Sequence, residues 1–158
     1  MPRSFLRLLV LALSALILPA PASAVSDPAP EISYAADGLA AGGYDVTAYF
    51  LQGKPVPGIA KYQISYKGAK WRFASAQSQA SFTANPAAFA PQYGGYCSWA
   101  VSQGYLAPGD PKQWKIVDGK LYLNFNARAK ELWEADQPAA IERGYANWPR
   151  VLTHNQDQ

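Results

Sequence analysis

The sequence predicts an α+β fold in which two β-hairpins form one small antiparallel sheet packed against short helices. Two stretches, residues 62–73 and 114–124, alternate large apolar with polar side chains around a short turn, which is typical of half-buried strands. After each stretch, apolar residues recur at helical spacing behind a capping residue. Strands and short helices in this order, in a chain of 158 residues, indicate a single α+β domain.

The first hairpin is predicted from apolar side chains on one face of its two arms: Tyr62, Ile64, Tyr66, Trp71 and Phe73. Residues 67–70 form the turn between the arms. Ser75 is then predicted to cap a helix that runs through Phe82. Asn85-Pro86 repeats this signal, as a cap and a first-turn proline, and predicts a further helical turn.

The second hairpin has the clearest turn signal in the chain. Asp118-Gly119 joins the two alternating arms, and this dipeptide suits the two positive φ angles of a tight hairpin turn. Asn126 is predicted to cap the next helix, and Pro138 to start the last one. The apolar residues of these two helices recur at helical spacing: Ala129, Leu132, Trp133, Ile141, Tyr145 and Trp148.

The two ends of the chain differ in composition from its centre. Residues 1–24 combine a positive start, an apolar stretch and small terminal residues, which predicts a cleaved signal peptide and an exported protein, periplasmic or secreted. Residues 25–42 are rich in Ala, Pro and Ser, and are predicted to form an extended leader over the domain. The folded domain is predicted at residues 43–150 and a flexible tail at residues 151–158. No internal repeat is evident.

Charge and cysteine content narrow the classes of partner. Loss of the signal removes Arg3 and Arg7, which lowers the basic residues from 14 to 12 against 11 acidic ones, and the net charge from +3 to +1. The basic residues are scattered, which argues against a nucleic-acid partner. The apolar stretch of the signal is too short and wrongly flanked for a stable membrane anchor. Because Cys97 is the single cysteine, packing must stabilise the domain without an internal disulfide.

Three segments of the chain resemble a known family. They are residues 43–50 (GYDVTAYF), 91–97 (PQYGGYC) and 114–124 (WKIVDGKLYLN). With the strand and helices of residues 66–89, they make the chain similar to the YHS domain, in a secreted bacterial subgroup. The resemblance implies an α+β fold and a role linked to metal or redox handling.

The same resemblance implies where metal-associated members of the family carry cysteines. One follows the aromatic residue of the strand directly, another comes four positions later, and a third lies in an upstream segment like Asp-Pro-Val-Cys. Here those places are Ala74, Ser78 and Ala48. The metal-associated cysteines are therefore mostly absent from this chain.

Cys97 is the first candidate for chemistry, because a thiolate is a soft metal ligand and a nucleophile, although a lone cysteine also packs well in a core. Soft-metal sites use several Cys or His ligands, and the only imidazole is His154 in the polar tail. A metal ion held by Cys97 and Asp45, or shared between two Cys97 thiolates in a homodimer, is left open, and the cofactor is unknown.

Because a cysteine nucleophile needs a nearby base, we interpret the chain as non-enzymatic and keep a thiol-dependent enzyme or redox sensor using Cys97 as an alternative.

Aromatic residues crowd the loop that carries Cys97. The rings of Tyr93, Tyr96 and Trp99 could floor a ligand pocket or pack in the core. Asp45 is interpreted as a helix cap or a further ligand. We therefore predict a ligand site made of Cys97, Tyr96, Tyr93, Trp99 and Asp45 in an exported binding module, for an unknown small ligand or an exported protein partner. A structural or interaction protein that pairs through Cys97 or through the aromatic surface is the further alternative.

Overall fold

The computed structural model describes residues 27–154, except the side chain of His154, and confirms the α+β class. Its helices and strands follow in this order: α1 (Ala48–Leu51), β1 (Ile59–Tyr66), β2 (Ala69–Phe73), α2 (Ala76–Ala84), α3 (Pro86–Phe89), α4 (Ser98–Ser102), β3 (Asp110–Val117), β4 (Lys120–Asn124), α5 (Ala127–Ala135), α6 (Gln137–Asn147) and α7 (Val151–His154). Short 3-10 helices at Ala41–Gly43 and Gln92–Gly95 precede α1 and α4. None of the helices between residues 27 and 154 has both the length and the apolar character of a membrane-spanning segment.

Both predicted hairpins are present. β1 pairs with β2 and β3 pairs with β4, each in antiparallel register. At the predicted turn, Asp118 and Gly119 have φ angles of 50° and 73°, and Lys67 and Gly68 make a matching turn with φ angles of 49° and 77°. Positive φ at both central residues gives the turn a twist that matches the twist of the flanking strands.

The two hairpins form separate two-stranded sheets, whereas the sequence pattern predicts one shared sheet. The reason lies in the side chains between them. Trp71 and Phe73 from β2 lie in the same buried cluster as Leu121 and Leu123 from β4. The hairpins therefore meet through packed side chains, and burial of apolar surface joins them instead of a ladder of backbone hydrogen bonds.

The described chain contains two copies of one structural unit, a repetition that is not evident in the sequence. Residues 41–89 form the first unit and residues 92–147 the second. Each contains a 3-10 helix, a short α-helix, an eight-residue strand, a five-residue strand and a nine-residue helix, followed by a helix with proline in its first turn. The register of each hairpin also shifts near the start of its first strand.

Backbone hydrogen bonds repeat together with these elements. In the first unit, the Asp45 N–H donates to the Val56 carbonyl over 2.8 Å. In the second unit, the Cys97 N–H donates to the Ala107 carbonyl over 2.8 Å. Cys97 therefore occupies the place in the second unit that Asp45 occupies in the first.

The caps of the two nine-residue helices are those that the sequence predicts. The Ser75 hydroxyl accepts the Ser78 N–H over 3.1 Å at the start of α2. Oδ1 of Asn126 accepts the Ala129 N–H over 2.8 Å at the start of α5. Asn85 precedes α3 as expected, but its side chain makes no cap hydrogen bond. Each cap gives an otherwise unpaired first-turn N–H a partner and so fixes where the helix begins.

Both flanks of the domain pack onto it. In the leader, Ile32 and Leu39 are buried, and the Ala29 N–H donates to the Leu152 carbonyl over 2.8 Å. Residues 151–153, expected in a flexible tail, instead lie in α7, where Val151 and Leu152 are buried. Two apolar residues are enough to anchor one helical turn onto an existing cluster, and so short a run gives no periodic signal in the sequence. The predicted signal and the last four residues lie outside the described range.

Candidate functional site

Cys97 lies where the second 3-10 helix leads into α4. Its Sγ accepts the Ala100 N–H over 3.5 Å, so the thiol itself caps α4. On its other side, the thiol donates to Oδ1 of Asn124 in β4, with 3.7 Å between sulfur and oxygen. Cys97 is only 1% exposed. A ligand would therefore meet this thiol inside the protein and not on its outer surface.

A pocket of about 340 Å³ leads to Cys97. Its wall combines Cys97 with large side chains from α4, the loop after it, the residue that follows β4, and α5: Trp99, Tyr105, Phe125, Arg128 and Leu132. Tyr105 is 38% exposed and Phe125 is 50% exposed, so both rings are partly open to water. The volume is at the lower end of the range of about 300–1,000 Å³ for ligand pockets. The pocket could hold a small molecule.

Asn124 is a candidate residue that the sequence analysis missed. It is fully buried, and its Oδ1 accepts the Trp99 N–H over 3.0 Å in addition to its contact with Cys97. Its Nδ2 has no hydrogen-bond partner among the residues that the structure describes. An unpaired buried donor costs about 1–3 kcal/mol, and Asn124 shares this feature with the Ser98 hydroxyl and Nε1 of Trp133. The only sequence signal is a polar residue directly after the apolar run 121–123.

The two tyrosines predicted beside Cys97 lie in a different part of the second unit. Tyr93 and Tyr96 belong to a buried aromatic cluster with Trp133. The Tyr93 hydroxyl donates to the Ile141 carbonyl over 3.2 Å, and the Tyr96 hydroxyl donates to the Pro30 carbonyl over 2.8 Å. Burial raises the pKa of both phenols above their ordinary value. These tyrosines hold α6 and the leader in place, and the structure does not bring them to the Cys97 pocket.

Asp45 is fully buried in the first unit. Its Oδ1 accepts the Thr47 N–H over 3.0 Å and the Thr47 hydroxyl over 2.7 Å, and its Oδ2 accepts the Ala74 N–H over 2.9 Å. The carboxylate therefore serves the backbone at the start of α1, close to the cap that the sequence predicted, although the N-cap residue itself is Thr47. Asp45 does not line the Cys97 pocket, and its contacts give it a structural role.

The residues around Cys97 do not fit a metal ion held by the side chains of one chain. Between residues 27 and 154 there is no group of three or more His, Cys, Asp or Glu side chains that could hold a metal ion. The imidazole of His154 is outside the described side chains. The metal-ligand role of Cys97 therefore stays a prediction.

A family model matches the first unit of the chain. The model is that of the YHS domain, and the match covers residues 47–93, from the cap of α1 into the second 3-10 helix. No curated protein and no solved structure matches the chain. The Cys97 pocket lies beyond the matched residues, in the second unit. The sequence resemblance is thus supported by a YHS domain at residues 47–93.

Proposed function

We propose that the protein is an exported, non-enzymatic binding module that holds a small ligand in the Cys97 pocket. The observation that carries this proposal is the convergence of the Cys97 thiol with the part-exposed rings of Tyr105 and Phe125 in one pocket. Several large apolar side chains that stay open to water around one concavity are typical of a binding site. Export is proposed from the composition of residues 1–24.

A binding role suits this pocket better than thiol catalysis. Nucleophilic catalysis by cysteine uses a base within hydrogen-bond reach of the sulfur. The groups in contact with Sγ of Cys97 are the Ala100 N–H and the side-chain amide of Asn124. Neither group accepts a proton at ordinary pH. The contacts of the thiol favour holding a ligand over activating the sulfur.

The wider setting of the proposed function is an accessory role in metal or redox handling. A YHS domain, which is commonly associated with metal-related binding, supports this setting. The pocket itself combines one sulfur with mostly apolar side chains, which is a poor ligand set for a bare metal ion. We therefore place a small organic molecule in the pocket.

An NMR titration of the folded protein with a chemically mixed library of small molecules tests this function. We expect at least one compound to shift the backbone amide signals of Cys97, Trp99 and Ala107, and Ala129→Leu to abolish those shifts by filling the pocket. Leu51→Ala, which changes an exposed apolar residue of the first unit, is the matched control and should leave them unchanged. Binding that maps only to other surfaces, or chemical turnover of a library member, would contradict the proposal.

A further inference from the structure

The first unit provides an internal reference for the Cys97 pocket. It has the same elements in the same order as the second unit. We call this common arrangement of helices and strands the frame, and the first unit shows which side chains the frame requires. Ala48 and Ala100 occupy equivalent places in the short helices, and Ser75 and Asn126 both cap the nine-residue helices. Such shared residues are explained by folding. Pocket residues without a similar counterpart need another explanation.

Four positions of the pocket carry larger and more apolar side chains than their counterparts. The counterparts, with the residue of the first unit before that of the second, are Thr47 and Trp99, Lys54 and Tyr105, Ala74 and Phe125, and Ser81 and Leu132. The frame of the first unit forms without bulky apolar groups at these places. Folding also gains little from a ring that is 50% exposed, as Phe125 is. Trp99 also packs against two buried clusters, whereas the part-exposed rings of Tyr105 and Phe125 are best explained by a ligand that covers them.

Charge narrows the class of ligand. Arg128 is the charged residue in the wall of this pocket, and its Nη1 donates to Oε2 of Glu131 over 2.8 Å. Since the guanidinium already has an anionic partner, the pocket has no unbalanced positive charge to attract an anion. A guanidinium next to aromatic side chains favours the face of a flat π system. An uncharged aromatic ring needs no ionic partner and offers a flat face to the guanidinium.

The shape and the polarisability of the wall point to the same class. Trp99, Tyr105 and Phe125 bring three rings to one pocket, and rings attract one another in offset or edge-on arrangements. Cys97 adds a polarisable sulfur to the wall, and sulfur atoms interact favourably with the edges of aromatic rings. A volume of about 340 Å³ restricts the ligand to a small molecule.

We infer that the Cys97 pocket binds an uncharged, flat aromatic molecule of one or two fused rings. The inference rests on the proposed function, because it names the ligand class of the same pocket. The second unit thus uses the frame that both units share to hold a ring, with Trp99, Tyr105, Phe125 and Leu132 as the groups in contact with it.

Binding of 2-naphthol and of its saturated analogue decahydro-2-naphthol to the purified protein tests the ligand class. Both probes are uncharged at neutral pH and have the same carbon frame, but only 2-naphthol is flat and aromatic. We expect 2-naphthol to bind at least ten times more tightly and to shift the amide signals of Cys97 and Trp99. Phe125→Ala should weaken its binding at least fivefold, whereas Leu51→Ala should leave it unchanged.

Several results would overturn the inference and separate it from the proposed function. Equal affinity for the two probes, or tighter binding of the anion 2-naphthoate, would overturn the aromatic and uncharged class while leaving the pocket as a binding site. The same conclusion follows if neither probe shifts the Cys97 amide signal but another library compound does. If no compound of any class binds there, the proposed function fails together with the inference.

Discussion

The two units have the same order of helices and strands, but they carry very different side chains at the end of their second strands. At the end of its second strand, the first unit places Phe73, which is fully buried with its ring centroid 5.2 Å from that of Phe82. The second unit places Asn124 at the same position, also fully buried, beside Cys97. The first unit thus completes its core with a ring, and the second accepts an amide with an unpaired donor. Local departures of this kind from good packing are typical of functional sites.

A second pair of equivalent positions also carries different side chains in the two units. Asp45 uses one carboxylate to bind the N–H and hydroxyl of Thr47 in the first unit. In the second unit, Cys97 replaces Asp45, and Asn124 accepts the equivalent N–H, that of Trp99. The amide has taken over part of the structural work of the carboxylate. The thiol keeps only the weak cap of α4, so most of its surroundings are the wall of the pocket.

The largest expected effect comes from removing the equivalent aromatic residues of the two nine-residue helices. Phe82 in α2 and Trp133 in α5 are both fully buried. Truncation of a buried large aromatic side chain costs about 3–5 kcal/mol, so Phe82→Ala and Trp133→Ala should each lower the free energy of unfolding by that amount in urea titrations. If one variant lost less than about 1 kcal/mol, the two units would not contribute equally to one core.

The next largest effect is the difference in stability lost when Asp45 or Cys97 is replaced by alanine. Asp45→Ala leaves one buried and one part-buried N–H group without their acceptor and should cost about 3 kcal/mol of unfolding free energy. Cys97→Ala removes a weak sulfur contact and a small side chain, and should cost about 1 kcal/mol. Thermal and urea unfolding of the two variants provides the comparison. A larger loss from Cys97→Ala would mean that the thiol, like the carboxylate, is mainly structural.

Alkaline pH should destabilise the whole domain through its buried phenols, because burial also raises the pKa of Tyr49 in the first unit. Burial is the main cause that raises the pKa of Tyr93 and Tyr122, and the hydrogen bond with Tyr145 adds to the effect at Tyr122. A phenol with a raised pKa holds its proton more tightly in the folded state, so its contribution is complete below the unfolded pKa of about 10 and is lost as the pH rises above it. The Tm should fall above about pH 10, and less steeply in Tyr122→Phe. A Tm that stayed constant to higher pH would contradict this.

The smallest effect concerns two equivalent glycines. Gly43 and Gly95 have φ angles of 80° and 84°, and an added Cβ would lie 3.3 Å from Leu39 Cδ1 in the first case and 3.2 Å from Pro91 Cγ in the second. Gly43→Ala and Gly95→Ala should each cost about 1 kcal/mol in thermal unfolding, because alanine resists positive φ. Binding of 2-naphthol should survive both changes. Loss of binding in folded Gly95→Ala alone would place the Tyr93-Gly94-Gly95 loop in contact with the ligand.

Features fixed by neighbouring residues could be predicted from the sequence. The turn at Asp118-Gly119 and the caps Ser75 and Asn126 depend on residues a few positions apart, and the structure confirms each of them. The separation of the sheets could not be predicted, because it depends on which distant side chains fill the space between the hairpins. The repeat was missed because glycines, prolines and a Gly-Tyr pair carry most of the likeness, while the strands align almost no identical side chains.

The site was predicted in part for the same reason. Cys97 and Trp99 share the pocket as expected, since they lie two residues apart at the start of α4. Tyr93 and Tyr96 are equally close in sequence, but Tyr93 lies within the tight 3-10 helix and Tyr96 ends it, and both rings lie in the aromatic cluster. Asn124 comes from a strand distant in sequence, and only the packing of β4 against α4 brings it to the thiol.

Native-state modification of Cys97 by methyl methanethiosulfonate, a small thiol reagent, tests most directly whether the second unit opens a pocket to this thiol. We expect the reaction to proceed in native buffer faster than global unfolding exposes the thiol, with a rate that low concentrations of urea do not change. The pocket-filling variant Ala129→Leu should slow it at least tenfold, and saturating 2-naphthol should slow it in the wild type. A rate that follows global unfolding in every case would contradict an accessible pocket and leave Cys97 as a core residue.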